Sequence, residues 1–224
     1  MLIVGTYKYD YNWDFFDIDS EELYYFLGFV GADGYIGKDS IEIGLSIKDI
    51  SLLDKFKKMI CPNKPLYIRK NTNAAVLKIS CKQRIKKIKT FFGMKTSKKG
   101  NEMIFPNISM NYIKDFIRGY IDGDGCIDKT KAYWKTKVYI GKRLRILGNY
   151  NFLETLNQKT KLFVNHNTNL ISKKGKENIY YVTYNFSTAD NILKWLYEDC
   201  KICLERKYKK AIYPICKWQD EDIV

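Results

Sequence analysis

Apolar side chains recur at three- and four-residue spacing in two separated stretches, Leu23, Phe26, Leu27 and Val30 in one and Ile113, Phe116, Ile117, Tyr120 and Ile121 in the other. That period predicts two amphipathic helices. Both stretches close on Asp-Gly: residues 23–34 read LYYFLGFVGADG and residues 113–125 read IKDFIRGYIDGDG. The sequence after each copy is also parallel. Ile41–Ile47 alternates apolar and polar at period two, as a half-buried strand does, and Asp49 is placed to cap a helix through about Ile60. In the second half the alternation runs from Lys137 to Ile146, and Asn149 is placed to cap a helix through about Thr160. Val76–Ser80 leads into a helix near Gln83–Phe92, and Ile179–Phe186 into one near Ala189–Tyr197. Each half reads helix, two strands, helix, two strands, helix, and such an internal repeat predicts an α+β pseudo-dimer. The repeats span 12–98 and 112–217, joined by a linker over 99–111 within a stretch rich in Lys, Ser and Gly. Tyr7, Tyr9, Tyr11, Trp13, Phe15 and Phe16 make Met1–Asp19 too aromatic for a free tail, so it packs on the first repeat; Asp220–Asp222 reads as a solvated end.

Composition narrows the class. The chain has 224 residues, 46% of them hydrophobic and 29% charged, enough apolar material for a core and too much for a disordered tail. Its six cysteines lack the dense spacing of a secreted disulfide scaffold and are expected to be reduced thiols. The lone CxxC, Cys200 with Cys203, is weak evidence for zinc, because no second pair accompanies it. No apolar run approaches the roughly 18 residues of a membrane span, and Met1–Gly5 is too short for a signal-peptide core. An intracellular protein, cytoplasmic or in an organelle matrix, is expected, with no membrane partner. The short flanks argue against a nuclease carried inside an intein. Net charge is +14, shared as +6 over residues 1–110 and +8 over 111–224, so a polyanion long enough to touch both halves is the natural partner.

Glycine in a helix costs about 1 kcal/mol relative to alanine. Gly28, Gly31 and Ala32 in one helix and Gly119 and Gly123 in the other strip side chains away, which close approach of two backbones would offset. Packed through these residues, the helices converge at their C-terminal ends and bring Asp33 next to Asp124. An aspartate at a helix C-terminus opposes the dipole, and two carboxylates about 6 Å apart repel by about 3 kcal/mol at an effective dielectric of 20. Divalent cations reverse that sign. Carboxylates with the carbonyls of Ala32 and Gly123 form a hard-oxygen site suited to Mg²⁺, which also takes phosphate oxygens and water, and ions so held promote phosphodiester hydrolysis. A single Asp-Gly is usually only a turn, with glycine supplying positive φ; two at the ends of matched glycine-bearing helices favour the metal.

The phrases Phe26–Gly34 and Ile117–Gly125 resemble the paired motifs of the single-chain LAGLIDADG homing endonucleases, and the likeness covers about residues 12–217. It implies two pseudo-symmetric αββαββα repeats, motif helices at their interface, and antiparallel sheets forming a saddle over double-stranded DNA. It also implies that Asp33 and Asp124 bind two or more catalytic Mg²⁺ ions, with Ala32 and Gly123 lending carbonyls. Gly31 stands where the second motif has Asp122, a position that does not bind metal in the family. Basic side chains near the scissile phosphates fall, by position, on Lys95 and Lys207, with Lys48 a weaker third; a lysine there would stabilise phosphate charge or orient water.

Strand phase tests the DNA reading separately. From Lys137 to Ile146 one face carries Val138, Ile140, Leu144 and Ile146, interrupted by Lys142, and the other Lys137, Tyr139, Gly141, Arg143 and Arg145. The second face is unusually basic for one merely exposed to water. With Lys38, Glu42, Ser46, Tyr67, Arg69, Asn71, Lys78 and Ser80 in the first repeat and Lys135, Asn165, Asn167, Tyr181, Thr183 and Asn185 in the second, it forms the expected DNA-binding set. Such side chains read base edges in the major groove or hold phosphates. Three functions compete: a monomeric, site-specific, Mg²⁺-dependent endonuclease making a double-strand break; an intron RNA maturase on the same scaffold; and a DNA-binding regulator without cleavage. Retention of both Asp33 and Asp124 speaks against the third.

Overall fold

The computed structural model describes residues 8–96, 102–169, 171–173, 175, 179–214 and 217–220, the last four and Trp134 by backbone only. In the first repeat α1 (Glu21–Asp33) runs into β1 (Tyr35–Ile36) and β2 (Ser40–Ser46), then α2 (Ile50–Ile60), β3 (Tyr67–Arg69), β4 (Ala74–Ser80) and α3 (Lys82–Phe91). The second repeats the order with α4 (Ile113–Asp124), β5 (Gly125–Trp134), β6 (Lys137–Gly148), α5 (Tyr150–Lys161), β7 (Ile171–Lys173), β8 (Tyr180–Asn185) and α6 (Phe186–Tyr197). It adds α7 (Glu205–Ile212) and β9 (Lys217–Asp220). The sheets are antiparallel with matching strand orders, β1-β2-β4-β3 and β5-β6-β8-β7. Among the described residues no helix is long and apolar enough to cross a membrane.

The expected solvated end begins in a strand. Lys217–Asp220 forms β9 against Lys137–Ile140 of β6, with Asp220 opposite Lys137, while residues 221–222 lie outside the described set. Capping expectations divide. The Asn149 side chain accepts from Phe152 N at 2.9 Å and starts α5, whereas Asp49 makes no side-chain cap for α2. The Asp49 carboxylate instead takes Arg206 Nε at 2.9 Å, and the chain enters α2 through a single 3-10 turn, Ile47–Asp49.

Residues 8–19 pack on the first repeat. Tyr11 stacks on Trp13 at 4.4 Å, Asn12 N donates to Ile60 O at 2.8 Å, and Arg84 pairs with Asp17. Tyr7 lies outside the described residues. The connection between repeats is no loose tether where it is described: Met103, Phe105 and Ile108 are buried, the Phe105 ring lies 5.2 Å from Phe116 and 5.3 Å from Phe152, and Asn149 Nδ2 donates to Met103 O at 2.6 Å.

Buried cations interrupt the core, Lys142 and Arg118 among them. Lys142, the break in the apolar face of β6, donates to Ala211 O at 2.6 Å and pairs with Asp190 at 3.0 Å. Arg118, fully buried inside the second motif, reaches Ile202 O at 3.0 Å, Leu196 O at 3.1 Å and Asp115 Oδ1 at 2.6 Å. A buried charge survives when its donors are satisfied, and these anchor the outer elements of the second repeat to its sheet and motif helix. Cys61, Cys81, Cys126, Cys200 and Cys203 are free, and Cys216 lies outside the described residues.

Candidate cleavage centre and nucleic-acid face

The motif helices α1 and α4 touch backbone to backbone. A Cβ built on Gly28 would fall 2.0 Å from Phe116 O, and one on Gly119 would fall 2.1 Å from Tyr25 O. Neither position can carry a side chain, which offsets the helical cost of glycine. Gly31 departs from expectation: it faces Phe92, 3.1 Å from the place of its missing Cβ, and Met103 rather than the partner helix. At the C-terminal ends a Cβ on Gly123 would lie 2.3 Å from Ala32 Cβ, 3.2 Å from Asp33 N and 3.4 Å from Asp33 Cβ. The two Asp-Gly helix ends are therefore direct neighbours. Gly34 and Gly125 do not supply a left-handed turn, since their φ values are −79° and −78°. Space demands them: a Cβ would come 2.8 Å from Val30 O and 2.5 Å from Ile121 O.

Asp33 is exposed and Asp124 half-buried at this seam. Lys207, in the first turn of α7, is 4% exposed, and its ammonium donates to Ile121 O at 2.7 Å, Asp122 O at 2.8 Å and Gly123 O at 3.4 Å. It caps the negative pole of α4. Burial pulls its pKa down to about 8, against the opposing pull of Asp122 and Asp124. Lys48 is exposed in the 3-10 turn whose Asp49 holds Arg206, so that turn meets α7 one residue from Lys207. Lys95 is exposed, and its backbone N donates to Glu102 at 2.8 Å. The structure thus draws Lys207 into the helix end, brings the Lys48 turn to α7, and leaves Lys95 on the surface.

Sequence reasoning passed over Asp122, the most enclosed acid of the centre. Its carboxylate accepts from Tyr197 Oη at 2.5 Å, Tyr25 Oη at 2.7 Å and Leu204 N at 2.7 Å. Burial raises its pKa and these donors oppose the rise. A polar residue inside an apolar motif was the available signal.

The strand faces carry the expected side chains, partly neutralised. In the first sheet Glu42 lies opposite Lys78 and pairs with it at 2.8 Å and with Arg69 at 3.5 Å. Tyr67, two residues from Arg69 on β3, shares that face and is 67% exposed. Ser46 and Lys38, the latter in the β1–β2 turn, are exposed, and Ser80 is half-buried. In the second sheet Arg143 is held by both oxygens of Asp128, at 2.8 and 2.7 Å, which keeps that carboxyl below its usual range. Arg145 lies 5.6 Å from the Tyr181 ring, and its buried Nε has no hydrogen-bond partner among the described residues. Thr183 pairs with Arg145 and Asn185 with Arg143 across β6–β8, Lys137 and Tyr139 share that face, and Lys135 sits in the β5–β6 turn at φ 52°. Three asparagines depart from the strand reading. Asn71 is exposed in the 3-10 turn after β3, and Asn165 and Asn167 are exposed in the irregular segment before β7, alternating with buried Val164 and His166.

Among the described residues no three His, Cys, Asp or Glu side chains converge on one metal position. Asp33, Asp124 and helix-end carbonyls are hard oxygen donors too few to enclose an ion, a set that suits Mg²⁺, which keeps waters and phosphate oxygens, better than zinc. The carbonyl of Gly123 is already in the reach of Lys207.

Residues 106–198 match the family model described as the PI-PfuI endonuclease subdomain. No curated protein sequence matches. Among solved structures, the LAGLIDADG homing endonuclease I-LtrWI bound to target DNA superposes with a TM-score of 0.60 at 14% identity over 88% of each chain. Meganuclease I-SmaMI bound to uncleaveable DNA gives 0.59 at 13% identity over 83% of this chain and 87% of that one. I-AabMI bound to uncleaved DNA gives 0.53 at 14% identity over 84% and 87%. In strand order, paired motif helices and overall superposition, the chain has the fold of the single-chain LAGLIDADG homing endonucleases.

Proposed function

We propose that the chain is a site-specific DNA endonuclease that makes a double-strand break by Mg²⁺-dependent phosphodiester hydrolysis, acting as a monomer whose two repeats supply one centre each. The observation that carries this reading is the contact of the two Asp-Gly helix ends across a glycine-bearing seam, with Ala32 and Gly123 face to face. An acid at a negative helix pole is disfavoured by the dipole, and a bound cation reverses that sign.

Asp33 and Asp124 would hold the ions, with the carbonyl of Ala32 lending a further oxygen. Mg²⁺ there supplies Lewis acidity toward the scissile phosphate and lowers the pKa of water. Lys207 offsets the negative end of α4, which lessens the repulsion between an approaching phosphate and the carboxylates. Lys48 and Lys95, both exposed, would meet phosphate rather than touch the helix end. The sheet cations bind the duplex, and the ion pairs to Glu42 and Asp128 hold Arg69, Lys78 and Arg143 in set directions, as direct readout requires.

Selection of a cleaved sequence from a randomised duplex pool with Mg²⁺ gives the substrate for the test. Asp33→Asn and Asp124→Asn should each leave a nick in one strand, the opposite strand in the two cases, and the double variant should bind without cutting. Undiminished double-strand cleavage by either single variant would refute the assignment. Tight binding of a structured intron RNA, with no duplex cut by the wild type, would favour the splicing cofactor instead.

A further inference from the structure

The seam is not symmetric in chemistry. In the first repeat Gly31 is covered by the Phe92 ring, with Met103 Sδ 3.6 Å from the place of its missing Cβ and Phe116 of the facing motif helix 6.3 Å from Phe92. The motif alignment puts Asp122 at the position of Gly31 and Tyr25 at that of Phe116, and Tyr197 of α6 takes the covering role of Phe92. An apolar trio on one side is a carboxylate and two phenols on the other. The first repeat closes this place without polar groups, so the fold does not require them, and burying a carboxylate is costly unless it is compensated.

The compensation leads to one place. Asp122 Oδ2 accepts from Leu204 N at 2.7 Å, Leu204 O accepts from Lys207 N at 2.9 Å, and Lys207 Nζ returns to Asp122 O at 2.8 Å. The ring starts and ends on Asp122 and contains the whole entry into α7. Tyr25 ties it to α1 of the other repeat.

We propose that Asp122 is a positioning residue for the second cleavage centre: through Leu204 it locks the start of α7, so that the Lys207 ammonium stays at the end of α4 beside Asp124. This rests on the nuclease reading above. Loosening the lock affects the Asp124 centre and not the Asp33 centre.

The test resolves the two strands of the selected target by labelling each, with Asp124→Asn marking the strand whose scission depends on the second centre. Asp122→Asn, and separately the triple variant Asp122→Ala with Tyr25→Phe and Tyr197→Phe, should slow that strand about 10- to 100-fold, the loss common when a supporting residue of a metal site is removed, with the other strand and the KM for DNA little changed. The ratio of strand rates is internal to each molecule, so partial unfolding lowers both rates and leaves it alone. Equal slowing of both strands, or no slowing in either variant, overturns the proposal while leaving the nuclease reading standing. A wild type that cuts no duplex sinks both.

Discussion

Alanine at Gly28 gives the most direct measure of how closely the two motif helices must approach. Helix propensity alone favours the change by about 1 kcal/mol. The new Cβ, however, would sit 2.0 Å from Phe116 O and 2.9 Å from both Phe116 C and Tyr120 N, all backbone atoms that cannot rotate away. Relief requires the helices to part by about 1 Å, and a gap of about 0.5–1 Å forfeits a quarter to a half of the dispersion attraction of the atoms that separate. Buried Tyr25, Phe29, Phe116 and Tyr120 lie at that contact. Overpacking of this kind costs about 3 kcal/mol at the upper end of its usual range, so the net loss should be about 2 kcal/mol. For a chain of this length that lowers Tm by about 4–8 °C. Gly119→Ala should do the same, for its Cβ would meet Tyr25 O at 2.1 Å, and the double variant should lose less than the sum because one separation relieves both clashes. Gly44→Ala is the control: its nearest neighbour would be Val76 Cγ2 at 3.7 Å, an ordinary contact, and it should stay within about 0.5 kcal/mol of wild type. Thermal and urea melts decide it. An unchanged or raised Tm for Gly28→Ala would show that the seam is not limited by backbone contact, and the reason given for its glycines would be wrong.

Glu42→Gln should release Lys78 and Arg69 from their shared carboxylate, tightening sequence-independent duplex binding and making the slope of log affinity against log salt more negative by about 1 for each cation that finds a phosphate; an unchanged slope in a salt titration would remove those two residues from the DNA face. Stability should also fall at alkaline pH. Burial first, with Asp122 adding to it for Tyr25 and Tyr197 and Asp124 for Tyr120, raises these three phenols well above the usual value of 10.0. Above about pH 10 the unfolded chain releases protons that the folded chain keeps, so their contribution is complete below that pH and declines as pH climbs toward the folded values. Urea melts followed across this range, beside phenolate absorbance, should show loss of stability preceding ionisation of these rings; early titration of all three without unfolding would contradict their burial.

Local pattern carried the architecture a long way. Period two in Ile41–Ile47 and Lys137–Ile146 gave strands close to the observed Ser40–Ser46 and Lys137–Gly148, because each strand presents one face to a core and one to solvent. The repeated phrase carried the pairing of α1 with α4, since a glycine-bearing helix end found twice needs a partner of the same kind. Where local reasoning failed, a distant residue had intervened. Asp49 looked like a cap and was taken by Arg206, and the period-two pattern of β6 did not show that Arg143 is held in an ion pair with Asp128 of the neighbouring strand.

What the chain determined by itself was periodic or repeated: two like units, a basic face on each, and one aspartate at the end of each motif helix. Burial and backbone spacing act on neighbours in sequence, so they leave a pattern that can be read there. Only the tertiary structure decided which charges are spent inside the protein. Lys142 and Arg118 became buried anchors, Lys207 the cap of a helix pole, and Asp122 the hub of a network joining both repeats. Each outcome depends on a donor or acceptor tens of residues away, and a charged side chain has the same letter whether water or a carbonyl satisfies it.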